Sequence, residues 1–296
     1  MQKFGIDISK WQGVFNMQVA KDEGVEFVVI KGAGRSESDG SLYMDSKFER
    51  NYTEAKRLGI PVGSYFFSRA LTISQAVEEA EYYYNNCLAG KQFELPIWYD
   101  VENQKQLACG KRLVTDMIIA FCSYLEQRGY WGGIYSSASY FTTYMFDAEL
   151  QKYAHWCAQW SSNCTYPAKE SLGLWQFGGS TNKLRSNIIA GVVCDQNYMY
   201  VDYPSIITAA GLNGFPKVAP KPVVLKSIEE VAREVLDAKW GNGQERINNL
   251  RSAGYDPYAV QAVVNKMITT PPVTPPVTPP VTPPVTPPVT PLSSFA

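Results

Sequence analysis

The sequence predicts an α/β fold, a closed and irregular (β/α)5β3 barrel of the TIM type. Three observations carry this. Short apolar runs alternate with amphipathic stretches as far as residue 205, and several amphipathic stretches end in the Gly that a helix C-cap favours. The last three apolar runs lie too close together for full helices between them. Alternating strand–helix units imply a parallel sheet, and this many in one domain favour a closed barrel over an open sheet.

The strand candidates, in order, are KFGIDIS (3–9), EFVVIKG (26–32), PVGSYFFS (61–68), LPIWYDV (95–101) and GGIYSS (132–137). HWCAQW (155–160), LGLWQF (172–177) and GVVCDQN (191–197) follow. The helical stretches MQVAKDEG, DSKFERNYTEAKRLG, SQAVEEAEYYYNNCLAG and GKRLVTDMIIAFCSYLEQRG separate the first five. The barrel is thus expected over 1–210 and a Pro-rich linker over 211–226. A three-helix module should occupy 227–268. Ser227 and Glu230 form a capping-box start, Ile228, Val231 and Val235 recur at helical spacing, GNG (241–243) breaks the helix, and Ile247 and Leu250 carry a second. Asp256-Pro257 then caps a third helix lined by Val260, Val264 and Met267, with Trp240 as a core anchor. Residues 269–296 repeat PPVT and predict an extended, disordered polyproline tail to which no chemistry is assigned.

At 296 residues and 45% hydrophobic, the chain can bury a large core and an accessory piece. A formal net charge of −1 removes the usual electrostatic case for nucleic acid or an anionic membrane surface, and no run reaches the length of a membrane span. The 19 Tyr and 7 Trp suit a core and also a sugar-stacking cleft. Six cysteines without a CxxC pair read as reduced, buried thiols; a bridge between Cys157 and Cys164 is possible but not implied. The single histidine, His155, leaves neither a zinc site nor a Ser-His-Asp triad easy to assemble, so no metal and no cofactor are expected. MQKFGIDIS has no basic n-region and no apolar h-region, which predicts synthesis in a cytoplasm with release by another agent.

Four carboxylates stand out: Asp7 in FGIDISKWQ, Asp100 and Glu102 in LPIWYDVEN, and Asp195 in VVCDQNYMY. Each follows an apolar run, so each is expected at the end of a barrel strand, where the functional rim of such barrels lies. Asp100 and Glu102, at i and i+2, should share a face, and their mutual repulsion should raise one pKa and supply a proton donor. Asp7 and Asp195 should end the first and last strands, which are neighbours where the barrel closes. Acids so gathered suit cleavage of a glycosidic bond.

The segments GIDISKWQG, FVVIKG, GSYFFS, PIWYDVEN, GIYSS, WCAQW, LWQF and CDQNY resemble those of glycoside hydrolase family 25, the Chalaropsis-type muramidases common among phage endolysins. The resemblance covers roughly residues 3–205 and implies hydrolysis of the β-1,4 bond between N-acetylmuramic acid and N-acetylglucosamine in peptidoglycan. It implies Glu102 as general acid and Asp195 as second carboxylate, acting as nucleophile or orienting the substrate's acetamido group. Asp100 would tune Glu102, and Asp7 would hold the −1 sugar. Lys31 and Tyr135 match cleft positions, with Tyr65, Trp160 and Trp175 as weaker stacking candidates or core residues. GAGRSES after Lys31 departs from the family's T-E-G-like run. KWGNG and AGYD followed by AVQ resemble a second family, the wall-binding repeat of a choline-independent pneumococcal phage lysin, and imply contacts from Arg233, Trp240 and Asn242. Members often carry several copies; with one here, further copies would come from a homo-oligomer through the C-terminal module. The resemblance with the missing signal peptide implies release to the wall through a holin. The competing readings are a non-catalytic, glycan-binding barrel, disfavoured by the four acids, and metal-dependent wall chemistry, disfavoured by the shortage of histidines.

Overall fold

The structure, a computed structural model, describes residues 2–166, 172–217 and 225–269. The chain divides into two compact units, Met1–Ala219 and Pro220–Ala296. The PPVT repeats and much of the Pro-rich segment before the module lie outside the described residues.

The first unit holds strands β1 (Lys3–Ile8), β2 (Phe27–Arg35), β3 (Leu42–Met44), β4 (Val62–Phe67), β5 (Ile97–Asp100), β6 (Gly132–Ser137), β7 (Ala154–Ala158), β8 (Leu172–Gly178), β9 (Ile188–Ile189), β10 (Val192–Val193) and β11 (Asp195–Met199). Its helices are α1 (Met17–Asp22), α2 (Phe48–Arg57), α3 (Ile73–Tyr83), α4 (Gln104–Leu107), α5 (Lys111–Glu126), α6 (Ala138–Tyr144), α7 (Asp147–Leu150) and α8 (Tyr203–Ala210). Local chemistry sets several starts. Thr72 caps α3 by accepting from the Gln75 amide at 3.2 Å, and Asn103 caps α4 through the amides of Lys105 and Gln106.

Eight strands close in the order β1-β2-β4-β5-β6-β7-β8-β11, with β11 returning to β1 and β3 attached to β2 outside the ring. Every pairing from β1 round to β8 is parallel. β11 is antiparallel to both its neighbours. The expected last strand, 191–197, is thus corrected. Ala190 and Gly191, both at positive φ, turn a small β9–β10 hairpin, and the barrel strand starts only at Asp195.

Alternation along the strands separates two apolar layers. One face packs on the helices, as where Tyr99 of β5 stacks on Phe121 of α5 at 3.8 Å. The other fills the barrel: Phe27, Val29, Trp98, Trp156, Leu174 and Met199 form one cluster, closed by Tyr203 and Ile207 of α8. Rings this large fit because the neighbouring strands carry glycine at the paired positions. A Cβ on Gly133 would lie 2.4 Å from the Trp98 ring, and one on Gly5 would lie 2.5 Å from Phe27.

The second unit is three helices, α9 (Ile228–Leu236), α10 (Gly243–Ser252) and α11 (Pro257–Thr269). Ser227 and Glu230 make the capping box, each accepting the other's backbone amide. Val231, Val235, Leu250, Val260 and Val264 form the core, with Trp240 edge-on to Tyr255 at 5.8 Å. Ile228, expected inward, is instead exposed in the first turn of α9.

Gly133→Ala should lower stability by about 1–3 kcal/mol through the clash with Trp98. Thermal unfolding checks this; an unchanged midpoint would show that the indole has room to move.

Candidate active site

The C-terminal rim of the parallel strands opens into a cleft of about 200 Å³. Three backbone segments deliver acids to it. Asp7 sits one residue before the end of β1, Asp100 is the last residue of β5, and Asp195 is the first of β11. Glu102 lies just beyond β5, in the link before α4. It lines the same cleft as Asp100, although the strand stops short of it. Asp195 was expected at a strand end and is found at a strand start. Because β11 runs against its neighbours, its first residue meets the rim, in direct register with Asp7.

Asp7 is held most completely. Its Oδ2 accepts from Asn197 Nδ2 at 2.8 Å and Gln176 Nε2 at 3.0 Å. Both amides are themselves oriented: Asn197 Oδ1 accepts from the Trp156 indole at 2.8 Å, and Gln176 Oε1 accepts from Tyr135 and Trp160, each at 3.0 Å. With their oxygens occupied by donors, the amides turn their NH₂ groups to the carboxylate. Burial pushes Asp7 up to about 6, and the two amides pull against it.

The other acids are less compensated. Burial drives Asp195 up to about 8, with Asp7 and Glu102 adding repulsion. Burial raises Glu102 as well, reinforced by Asp7 and opposed by Lys31 and Arg69. Asp100 is pushed well above the carboxylate range by burial, then by Glu102 and Asp7, against Lys31. Its Oδ1 is buried without a hydrogen bond. The raised donor expected from one acidic pair is therefore a property of the whole set, with burial as the first cause.

Lys31 reaches into the cleft with Nζ 4.5 Å from the Phe67 ring centroid and 5.8 Å from that of Tyr65. Tyr65 and Tyr135 stand edge-on to Trp156, at 6.0 and 4.5 Å. Trp160 is half-exposed beside Asp195; a Cβ on Gly179 would meet the Asp195 carboxyl at 1.9 Å and the Trp160 ring at 2.6 Å. Trp175 is corrected from the stacking set to the core. Gln176 faces the barrel interior, so its neighbour on the strand faces the helices and donates to the Gln159 carbonyl at 2.9 Å.

Sequence reasoning passed over Trp11, which is 80% exposed at the cleft, and the residues that orient Asp7, namely Gln176, Asn197 and Trp156. The signal was present: each lies in a segment quoted for the resemblance, and Gln176 and Asn197 are amides inside apolar strands. His155 is buried and bonded to Asp147 and the Tyr153 carbonyl. No disulfide joins the cysteines among the described residues, and the Cys157 thiol is hydrogen-bonded to Cys164. Among the described residues no group of His, Cys, Asp and Glu could hold a metal ion. In the second unit Arg233 is exposed on α9, while Trp240 is half-buried in the core with its indole on Glu234. Asn242 accepts from Arg246 at 3.1 Å, and Arg246 lines a pocket with Tyr258 and Gln261 that none of the three expected contacts enters.

A carboxyl whose folded pKa is raised binds its proton in the native state where the unfolded chain has lost it. Its contribution therefore falls as pH rises from the unfolded pKa of about 4 through the raised value. Asp100→Asn removes that penalty. The variant should match wild type near pH 4 and exceed it by several degrees in thermal midpoint near pH 8. Midpoints measured across this range check it, and a variant losing stability most at high pH would contradict the burial argument.

The profile of glycosyl hydrolases family 25 matches residues 6–184, and that of the CW_7 repeat matches residues 229–268. The lysozyme of Streptococcus phage Cp-7 is 24% identical over 273 residues, covering 88% of this chain and 69% of the phage protein. The bacterial lysozyme of Streptomyces coelicolor is similar in structure with a TM-score of 0.59 at 25% identity, over 72% of this chain and 97% of the other. The modular autolysin LytC of Streptococcus pneumoniae, in complex with a synthetic peptidoglycan ligand, gives a TM-score of 0.56 at 23% identity, over 67% of this chain and 47% of the autolysin. The chain belongs to glycosyl hydrolases family 25: it is a glycoside hydrolase that carries a C-terminal CW_7 repeat.

Proposed function

We propose that the protein is a lysozyme that hydrolyses the β-1,4 bond between N-acetylmuramic acid and N-acetylglucosamine in bacterial peptidoglycan, with its C-terminal repeat holding it on the wall. One observation carries the reading. Acids from β1, from β5 and the link after it, and from β11 share a single cleft in which burial drives Glu102 toward its protonated form.

Glu102 donates its proton to the glycosidic oxygen as the bond breaks. Asp195 supplies negative charge to the oxocarbenium-like centre. This is the step shared by a covalent glycosyl-enzyme route and one through the substrate's own acetamido group, and both retain configuration. Positive charge developing on the sugar favours ionised Asp195, which the empty cleft disfavours, so this interaction strengthens as the transition state forms. Asp7, fixed by its two amides, orients the −1 sugar. Asp100, itself pushed up by burial and by Glu102, offers its unpartnered oxygen to a sugar hydroxyl. Tyr65, Tyr135 and Trp160 give the sugar faces an aromatic wall.

Glu102→Gln should slow clearing of purified cell walls by at least about a hundredfold, with folding intact by circular dichroism. A variant that clears walls as fast as wild type would sink the acid assignment. Product analysis should find new reducing ends on muramic acid; reducing ends on glucosamine would instead indicate a glucosaminidase.

A further inference from the structure

A second pocket of about 170 Å³ adjoins the cleft, lined by Arg69, Lys105, Glu37, Asn103 and the segment around Arg35. It shares a wall with the catalytic rim. The Arg69 guanidinium stacks on one residue of the cleft, Phe67, at 4.5 Å, and Asn103 directly follows Glu102. The segment beyond Lys31 that departs from the family pattern builds the far side. Arg35 anchors it, bonded to Glu79 at 2.8 Å, Glu78 at 2.7 Å and the Gly40 carbonyl at 2.9 Å, and so has no charge left to offer.

Arg69 and Lys105 differ from Arg35 in this respect. Arg69 Nη1 donates to the Arg35 carbonyl, but Nε is buried without a hydrogen bond and Nη2 has only a distant contact, 3.9 Å, with Glu37. Lys105 Nζ lies 3.3 Å from the same Glu37 carboxylate. Two cations thus converge on one exposed loop carboxylate, bound loosely by one of them. That is the arrangement of a resident anion which a better-fitting one can displace.

Resting on the muramidase reading, we propose that this pocket is a subsite for a carboxylate carried by the lactyl ether of muramic acid, with Arg69 and Lys105 as its cations and Glu37 as the group displaced. Glucosamine has no such substituent. The carboxylate has two sources: the lactyl group itself on a peptide-free glycan, or an acidic residue of the attached peptide. The subsite makes the enzyme sensitive to whether wall peptides are acidic or amidated.

The test compares kcat/KM of the full chain on three soluble glycan preparations: peptide-free, peptide-bearing with free carboxylates, and peptide-bearing with those carboxylates amidated. Wild type should prefer the acidic over the amidated peptide-bearing glycan by about five- to tenfold, in KM more than in kcat. Lys105→Gln should bring that ratio toward one, and Glu37→Gln should raise it, with thermal midpoints confirming both folds. If the peptide-free glycan matches the acidic one, the site also takes the lactyl carboxylate, which is free only where no peptide is attached; if it falls to the amidated level, the site takes the peptide carboxylate alone. A ratio near one in wild type, unmoved by both variants, overturns the subsite. Muramic acid reducing ends from all three preparations would then leave the muramidase reading standing, and their absence from all three would remove both.

Discussion

Strand β11 enters the barrel against the direction of its neighbours, and the rim depends on that reversal. Because it pairs antiparallel with β1, its residues run from rim to floor as Asp195, Asn197 and Met199. The first is a cleft acid, the second an amide donor to Asp7, and the third part of the apolar fill. The same residues threaded in parallel would put the carboxyl among Trp98 and Leu174 and the thioether at the opening. Chain direction at the closing strand thus decides whether the site has a second carboxylate facing Glu102.

The rim sits on a rigid base. Beneath the acids the barrel is filled by indole and phenyl rings and contains little that can solvate a charge. Outside the barrel, the ends of β4 and β5 are fastened together. Buried Glu79 accepts from Arg35, Ser68 and Tyr99; the Ser68 amide donates to the Asp100 carbonyl at 3.0 Å, and Gln106 of α4 donates to the Ser68 hydroxyl at 2.7 Å. The Glu102 link is therefore held at both ends, by a strand on one side and a capped helix on the other. The Glu102 carboxyl thus sits on a short segment fastened at both ends.

Much of this was legible. Period-two alternation in FGIDIS, VVIKG and IWYDVEN places Asp7, Lys31 and Asp100 on the inward face, and the order of strand–helix units forces closure. What failed did so at single-residue frames and long-range pairings. GVVC reads as a strand because it is apolar and β-branched, yet two residues at positive φ turn it into a hairpin. Trp175 and Gln176 are adjacent, and only the register with β11 and β7 says which of them looks inward. The amides that orient Asp7 find their partner 169 and 190 residues away, and no local pattern announces such a contact.

The burial that raises the cleft acids also sets what the fold must give up for them. Removing four carboxyls from water with few cations nearby is unfavourable whenever they ionise, so the native state holds protons that the unfolded chain releases. Raising the pH strips those protons from the cleft. The barrel then accumulates like charges over an apolar floor. Stability therefore weakens on the alkaline side. A substitution that relieves the repulsion steadies the fold and brings down the raised pKa of the acids that remain. The rim acids are in this sense a stored electrostatic strain, tolerable because the apolar barrel and the Glu79 network hold the backbone in place around them.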